Sequence, residues 1–427
     1  MSTRLRTDDH QIDWRVKGFW CPGPPVADRV FAAARHDLFG GAFTWPILVA
    51  RRTAIEHNIA ALAAFCARHQ LAFAPHGKTT MAPSLFAAQL RAGAWGMTVA
   101  TANQALSCRA FGVPRVMLAN ELLDPTALRW AAREVARGFE FVCQVDSLAA
   151  VHAIEAATRT AAATGAQDGT GARPLRVLVE LGHAGGRAGC RSVDELTEVA
   201  RAAAAAPGVE LAGVAAYEGG LPRVAEVADY LDTVRAATRS LSARGLLPAS
   251  VLVAAGGSAY FDVVAERLGG AWLPGHTLHP VLRAGAYVSH DDGFYRERTP
   301  LRRVPEQGSL DAALEVWAQV LSTPEPGLAI VGMGKRDVPY DEGLPVPRWL
   351  RRPGGALVDA TALRVARLND HHTYVDVAAG VPADRRPRPG DLICFGISHP
   401  CTAFDKWQVI PVIEDDHTVS DLLRTYF

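Results

Sequence analysis

Three places in the sequence combine residue types and spacings that can do covalent or metal chemistry. The first is "APHGKTTMAP" at 74–83, where Lys78 follows an apolar run at 71–74 and comes two residues after His76. A lysine in apolar surroundings is poorly solvated in its charged form. Its pKa falls and its amine becomes a nucleophile. The chain has only four lysines, Lys17, Lys78, Lys335 and Lys406, and carries its other positive charge as arginine. The second place is Gly256-Gly257-Ser258, a turn that opens into a helical pattern. Such a turn aims backbone N–H groups from the positive end of a helix dipole, which suits a phosphate. A nucleophilic amine and a phosphate seat together suit pyridoxal phosphate, an aldehyde cofactor held as a Schiff base. An exposed loop lysine and a plain strand-to-helix turn are the ordinary alternatives.

The third place is "GISHPCTAFDKW" at 396–407. His399 and Cys401 are spaced i, i+2, which puts both on one face of an extended segment. Imidazole and thiolate suit Zn²⁺ as a partial ligand set, leaving positions for water or substrate. "LNDHHTY" at 368–374 adds His371 and His372, which alternate faces if extended, so one of them could turn toward the same site. Arg187, in "GGRAG", lies between glycines that permit close backbone approach and can reach a cofactor ring or a carboxylate. Tyr217, in "AYEG" with Glu218 and Gly219, can pack on a ring or hydrogen-bond to it.

These residues need a scaffold that gathers strand ends. Apolar runs rich in Val, Leu and Phe predict strands near 71–74, 96–100, 115–119, 140–145, 175–180, 211–215, 250–254 and 279–283. Helical spacing predicts helices over 53–69, 125–137, 147–163, 192–206, 224–244 and 259–268, with shorter helical stretches after the first two strands. Eight strands with crossover helices over about 240 residues is the size of a (β/α)8 barrel. An open doubly wound sheet is the competing reading. In a barrel, His76, Lys78, Thr79, Glu180, Gly182, Arg187, Tyr217, Glu218 and the Gly256–Ser258 turn all fall at the C-terminal ends of strands, where barrel active sites lie.

Past Pro300, Pro, Gly and Arg become frequent, and short runs alternate Val, Ile and Thr with polar residues, predicting a mostly β domain. The expected division is an N-terminal extension at 1–44 available to the β domain, a barrel at 45–295 and a β domain at 296–427. The stretch 163–174 reads as an exposed loop before the fifth strand.

The 427 residues are 49% hydrophobic with a formal net charge of zero, which argues against nucleic-acid binding and against a polybasic membrane anchor. No apolar run is long enough to predict a spanning helix, and the N-terminus lacks a signal-like apolar core. The seven cysteines include no CxxC pair, which reads as a reduced, cytoplasmic protein whose cysteines are mostly small buried hydrophobes.

Taken in order, these segments resemble the D-serine dehydratase/D-threonine aldolase family of fold-type III pyridoxal-phosphate enzymes, which share the alanine racemase-like barrel. The resemblance covers about residues 45–415 and rests on "PHGKTT", "VELGHAGGRAG", "GVAAYEG", "AAGGS", "LRAGAYVSHD" and "SHPCTAFDKW". It implies Lys78 as the residue bonded to the cofactor, and Gly256, Gly257 and Ser258 as its phosphate seat. Arg187 and Tyr217 would lie beside the cofactor, and Tyr287 near the phosphate or substrate. His399 and Cys401 would bind Zn²⁺ or another divalent metal, and His372 would be catalytic. The aldolase branch typically carries His-x-Asp at the metal, so His-x-Cys leans toward the dehydratase branch and a D-amino-acid deaminase-like subgroup. The implied reaction is elimination from D-serine or a related β-hydroxy D-amino acid, in a homodimer. A D-threonine-type aldolase, a metal-free racemase and a non-catalytic pyridoxal-phosphate-binding protein are the rivals. "HGKTT" departs from the more usual lysine-threonine-histidine order, and "GMGKRDVPYDEGLP" differs from the shorter segments of other members.

Overall fold

A computed structural model of the chain describes residues 10–168 and 173–427. The chain forms two compact units. One holds Leu62–Lys78 and Phe86–Gly285; the other holds Thr79–Leu85, Ala286–Phe427 and the described part of Thr7–Ala61.

The first unit is built on eight parallel strands: Ala72–Phe73, Met97–Val99, Arg115–Glu121, Glu140–Val145, Leu175–Leu181, Val209–Ala216, Ser250–Ala255 and Thr277–Leu282. Chain neighbours are sheet neighbours, and the last strand pairs back onto the first, with Val281 opposite Ala72 and Leu282 opposite Phe73. The seam between the first two strands closes through a parallel bridge between His76 and Thr98. There the N–H groups of Trp95 and Thr98 donate to the carbonyls of Phe73 and Pro75, at 2.6 and 2.9 Å. This is the expected barrel. The open sheet fails because no free edge is left at this seam. Ala74, Met117, Val142, Leu178, Ala212, Ala215, Leu252, Ala254 and Val281 form one of its buried clusters.

The crossover helices start where local chemistry tells them to. Pro125–Ala136 has proline in its first turn, and the Asp124 carboxylate accepts from the Ala127 N–H at 2.8 Å. Val193–Ala205 is capped by Ser192 and carries Asp194 and Glu195 in its first turn, against the helix dipole. The short stretches after the first two strands are Pro83–Arg91, in the main part of this unit from Phe86 onward, and Ala102–Phe111. The second ends at Gly112, whose φ of 89° suits glycine. The stretch expected as a loop at 163–174 differs: helix Leu148–Asp168 runs into it, while 169–172 lie outside the described residues.

The second unit carries a ten-stranded, mainly antiparallel sheet. Its long strand Leu314–Glu325 pairs with Leu392–Gly396 and Leu328–Val331. It also pairs with Ile47–Arg51, so that strand belongs here and not to the barrel region expected from residue 45. The reason is long-range. Ile47–Ala50 are fully buried, and this strand also pairs in parallel with Val409–Ile413. The extension before it forms a separate hairpin of Gln11–Ile12 with Val26–Ala27. Its Asp28 carboxylate accepts from the Arg424 guanidinium at 2.8 Å. Among the described residues, no helix is long and apolar enough to cross a membrane.

Candidate active site

At the C-terminal end of the barrel, charged side chains converge around His76. Its imidazole is driven well below its ordinary pKa by burial and by the positive charges of Lys78, Arg283 and Arg187, so it stays neutral. Lys78 sits in a single 3-10 turn, Gly77–Thr79, directly after the first strand. Gly77 is close-packed there, since a Cβ would stand 3.0 Å from the Phe86 ring. Arg187 lays its guanidinium 4.3 Å from the centroid of the Tyr217 ring. The loop that carries Arg187 is pinned by Arg191, which donates to the carbonyls of Gly186, Ala188 and Gly189 at 2.6, 2.7 and 2.9 Å. Tyr230 ties the neighbouring strands together, donating its hydroxyl to the Leu181 carbonyl at 2.5 Å.

Several buried polar atoms at the strand ends have no protein partner: His76 Nδ1, Glu121 Oε1, Gln144 Nε2 and Arg283 Nε. Arg283 is buried, and burial pulls its guanidinium down against the opposing pull of Glu180 and Glu218. Glu121 is pushed up to about 8 by burial and by the facing carboxylate of Glu180, with Asp146 adding to the effect. The folded protein therefore keeps the Glu121 proton over a range where the unfolded chain has lost it. Stability from this group is full below about 4.5 and falls as pH rises toward about 8. Glu121→Gln should flatten that decline, read as the melting temperature against pH for both proteins. A variant that declines as steeply as the parent would contradict the assignment.

The expected phosphate turn has a specific occupant. Gly256 has a φ of +99°, and a Cβ there would run into Leu282 Cδ1, so only glycine fits. Its N–H and that of Gly257 both donate to Glu218, at 3.1 and 2.6 Å. Ser258 follows, half-buried.

In the second unit His399 and Cys401 meet, but not along one strand face as expected. The strand ends at Gly396, His399 is extended, and Pro400–Thr402 form a 3-10 turn. Proline at the middle position favours this bend. Burial lowers the His399 pKa, but hydrogen bonding to Cys401 and Asp341 and their charges outweigh it, leaving it at about 9. Asp341 bonds His399 Nδ1 at 2.7 Å and accepts from the Thr402 hydroxyl at 2.7 Å. Thr79, the residue after Lys78 in the chain, places its hydroxyl 3.3 Å from Cys401 Sγ. Among the described residues no three His, Cys, Asp or Glu side chains gather as a full metal cluster. Tyr287 is buried in the turn Ala286–Val288 of this unit. His372 is not among the groups around His399. It and His371 are exposed at the turn before strand Thr373–Val377. Five of the seven cysteines are buried, as expected, and burial raises the thiols of Cys66, Cys108, Cys143 and Cys190 to about 12.

A family model for the alanine racemase N-terminal domain matches residues 51–276, more than half of the chain. The chain belongs to the alanine racemase N-terminal domain family. A second family model, described as "Putative serine dehydratase domain", matches residues 313–413 of this family member. The chain is similar to D-threonine aldolase of an Arthrobacter species, 25% identical over 92% of this chain and 93% of the relative. It is also similar to 3-hydroxy-D-aspartate aldolase of Paracoccus denitrificans, 26% identical over 70% of this chain and 74% of the relative. Among solved structures, D-threonine aldolase from Filomicrobium marinum superposes with a TM-score of 0.75 at 23% identity, covering 90% of this chain and 95% of that one. D-threo-3-hydroxyaspartate dehydratase from Delftia sp. HT23 superposes at 0.66 and 24% identity, covering 90% and 97%. These superpositions establish the fold, an alanine racemase-like barrel with an antiparallel sheet domain.

Pyridoxal phosphate is the cofactor expected of this family. The residues of the barrel end fit it. Positive groups converge on a neutral imidazole and unpartnered buried polar atoms stand at the strand ends, while the Gly256 and Gly257 N–H groups are taken by Glu218.

Proposed function

We propose that this protein is a pyridoxal-phosphate- and divalent-metal-dependent lyase that eliminates water from a β-hydroxy D-amino acid such as D-serine, giving a keto acid and ammonia. The observation that supports elimination best is the His399–Cys401 pair, backed by Asp341, inside the segment matched by the serine dehydratase family. When bound, pyridoxal phosphate supplies an aldehyde for the substrate amine and a ring that takes up the electron pair left at Cα. Lys78 is the residue that carries the cofactor, and its Nζ takes the Cα proton. Arg187, stacked on Tyr217, and buried Arg283 would supply positive charge to the bound cofactor. The turn from Gly256 to Ser258 would hold the phosphate end.

His399 and Cys401 suit a metal that takes few protein donors. With Asp341 on Nδ1, Nε2 would be the nitrogen left to hold a metal, and the Cys401 thiolate would complete the pair. Zn²⁺ or another divalent ion would there supply Lewis acidity at the β-hydroxyl. The Cα–H and Cβ–O bonds break, proton and hydroxyl leave as water, and hydrolysis of the remaining enamine gives the keto acid and ammonia.

Aldol cleavage is the second reading, supported by the curated relatives named as aldolases. It breaks Cα–Cβ and gives glycine and an aldehyde. Turnover of a β-hydroxy D-amino acid panel, with products identified, separates the two. Keto acid plus ammonia is expected. Glycine plus aldehyde would put the second reading in its place, and no turnover of any member would remove both. The same proposal includes the homodimer that the resemblance implies and a cytoplasmic setting, the latter supported by seven free cysteines.

A further inference from the structure

The Glu218 side chain is completely buried at the end of strand Val209–Ala216. Its two carboxylate oxygens divide between two donors: Oε2 takes the Gly256 N–H at 3.1 Å, and Oε1 takes the Gly257 N–H at 2.6 Å. These are the first two donors of the turn expected to seat the cofactor phosphate. The turn has little room to change shape at Gly256, while Gly257 is in ordinary contact with its neighbours. Gly256 lies against Leu282, and a Cβ on Gly257 would stand 3.4 Å from the Tyr217 ring and 3.6 Å from Glu218 itself. One carboxylate from the sixth strand thus braces the turn after the seventh.

We propose that Glu218 is a positioning residue for the cofactor phosphate: it holds the Gly256–Gly257 turn in shape and, as a resident anion, makes the turn prefer the less charged form of the phosphate. The proposal rests on the pyridoxal-phosphate reading above. A phosphate monoester takes its second negative charge at a pKa of about 6. Beside a buried carboxylate that second charge is disfavoured. Binding of the phosphate group is then linked to proton uptake, so affinity for inorganic phosphate, which forms no bond to Lys78, falls as pH rises through about 6. The other ionisable groups acting on Glu218 do not supply this dependence. Arg283 stays charged throughout, and Tyr230, from helix Val224–Ala243, is pushed well above its ordinary value by burial. Arg187 and Glu180 act on Arg283 in turn.

The test titrates the cofactor-free protein with pyridoxal phosphate and, separately, with inorganic phosphate, from pH about 5 to about 8. Parent, Glu218→Gln and Glu218→Ala are compared by dissociation constant. Glutamine keeps an acceptor for one of the two N–H groups, loses the other and removes the charge. Glu218→Gln should bind both ligands about tenfold more tightly at the upper pH, with a flattened pH profile. Alanine removes the brace as well, and Glu218→Ala should bind about tenfold more weakly than Glu218→Gln at every pH. A glutamine variant with the parent's affinity and the parent's pH profile overturns the proposal. Failure of the underlying cofactor reading looks different: the parent protein itself would take up no pyridoxal phosphate, while the inorganic-phosphate titration would still report on Glu218.

Discussion

Lys78→Ala should leave a folded protein that no longer holds pyridoxal phosphate covalently and turns over its substrate at least about 10⁴-fold more slowly. The size follows from two losses at one atom. Removing a positioned general base alone costs about 10²–10⁴-fold, and loss of the covalent anchor adds to it. Borohydride treatment, which fixes a lysine-bound aldehyde, should mark the peptide containing Lys78 in the parent and no peptide in the variant. The stability cost should be small, because Lys78 is only partly buried and lies in a single 3-10 turn. A borohydride-fixed label that survives in the variant would move the anchor to another of the four lysines.

The second large effect is expected in the other unit. His399→Ala and Cys401→Ala should each lose the bound divalent metal, read by elemental analysis, and most of the turnover with it. Asp341→Asn should be milder. Its carboxylate touches the imidazole at 2.7 Å and would orient that ligand, so the expected loss is about 10–100-fold in metal affinity. Excess zinc should restore the asparagine variant and not the alanine variants. Turnover that persists unchanged after chelation would remove the metal from the reaction and leave the pair with a structural role.

The barrel was legible because its strands are continuous apolar runs, buried on both faces and each followed by a helical pattern. Lys78 and the Gly256–Ser258 turn could be picked out because their chemistry is local. What stayed hidden depends on distance through the fold. Nothing in "ILVA" at 47–50 says that its neighbours are Leu314–Trp317 and Val412. Asp341 lies 58 residues before the histidine it orients, and only the folded unit joins them. Glu218 was visible beside Tyr217, but that it holds the Gly256 and Gly257 N–H groups was not. Arg187 was singled out in "GGRAG", yet Arg191 is the arginine that fixes that loop, four residues on and without flanking glycines to draw attention. The i, i+2 spacing of His399 and Cys401 carried the correct pairing through the wrong geometry, since Pro400 replaces an extended chain with a turn.

Strand Ile47–Arg51 also has a consequence for synthesis. It leaves the ribosome before any barrel strand, yet its two sheet neighbours, Leu314–Glu325 and Val409–Ile413, emerge only after the last of them. Until then the apolar residues Ile47–Ala50 have no native partner, the situation in which nascent chains aggregate or recruit chaperones. A truncated product that stops after the barrel carries the same orphaned edge permanently, so a soluble barrel fragment has to begin after that strand.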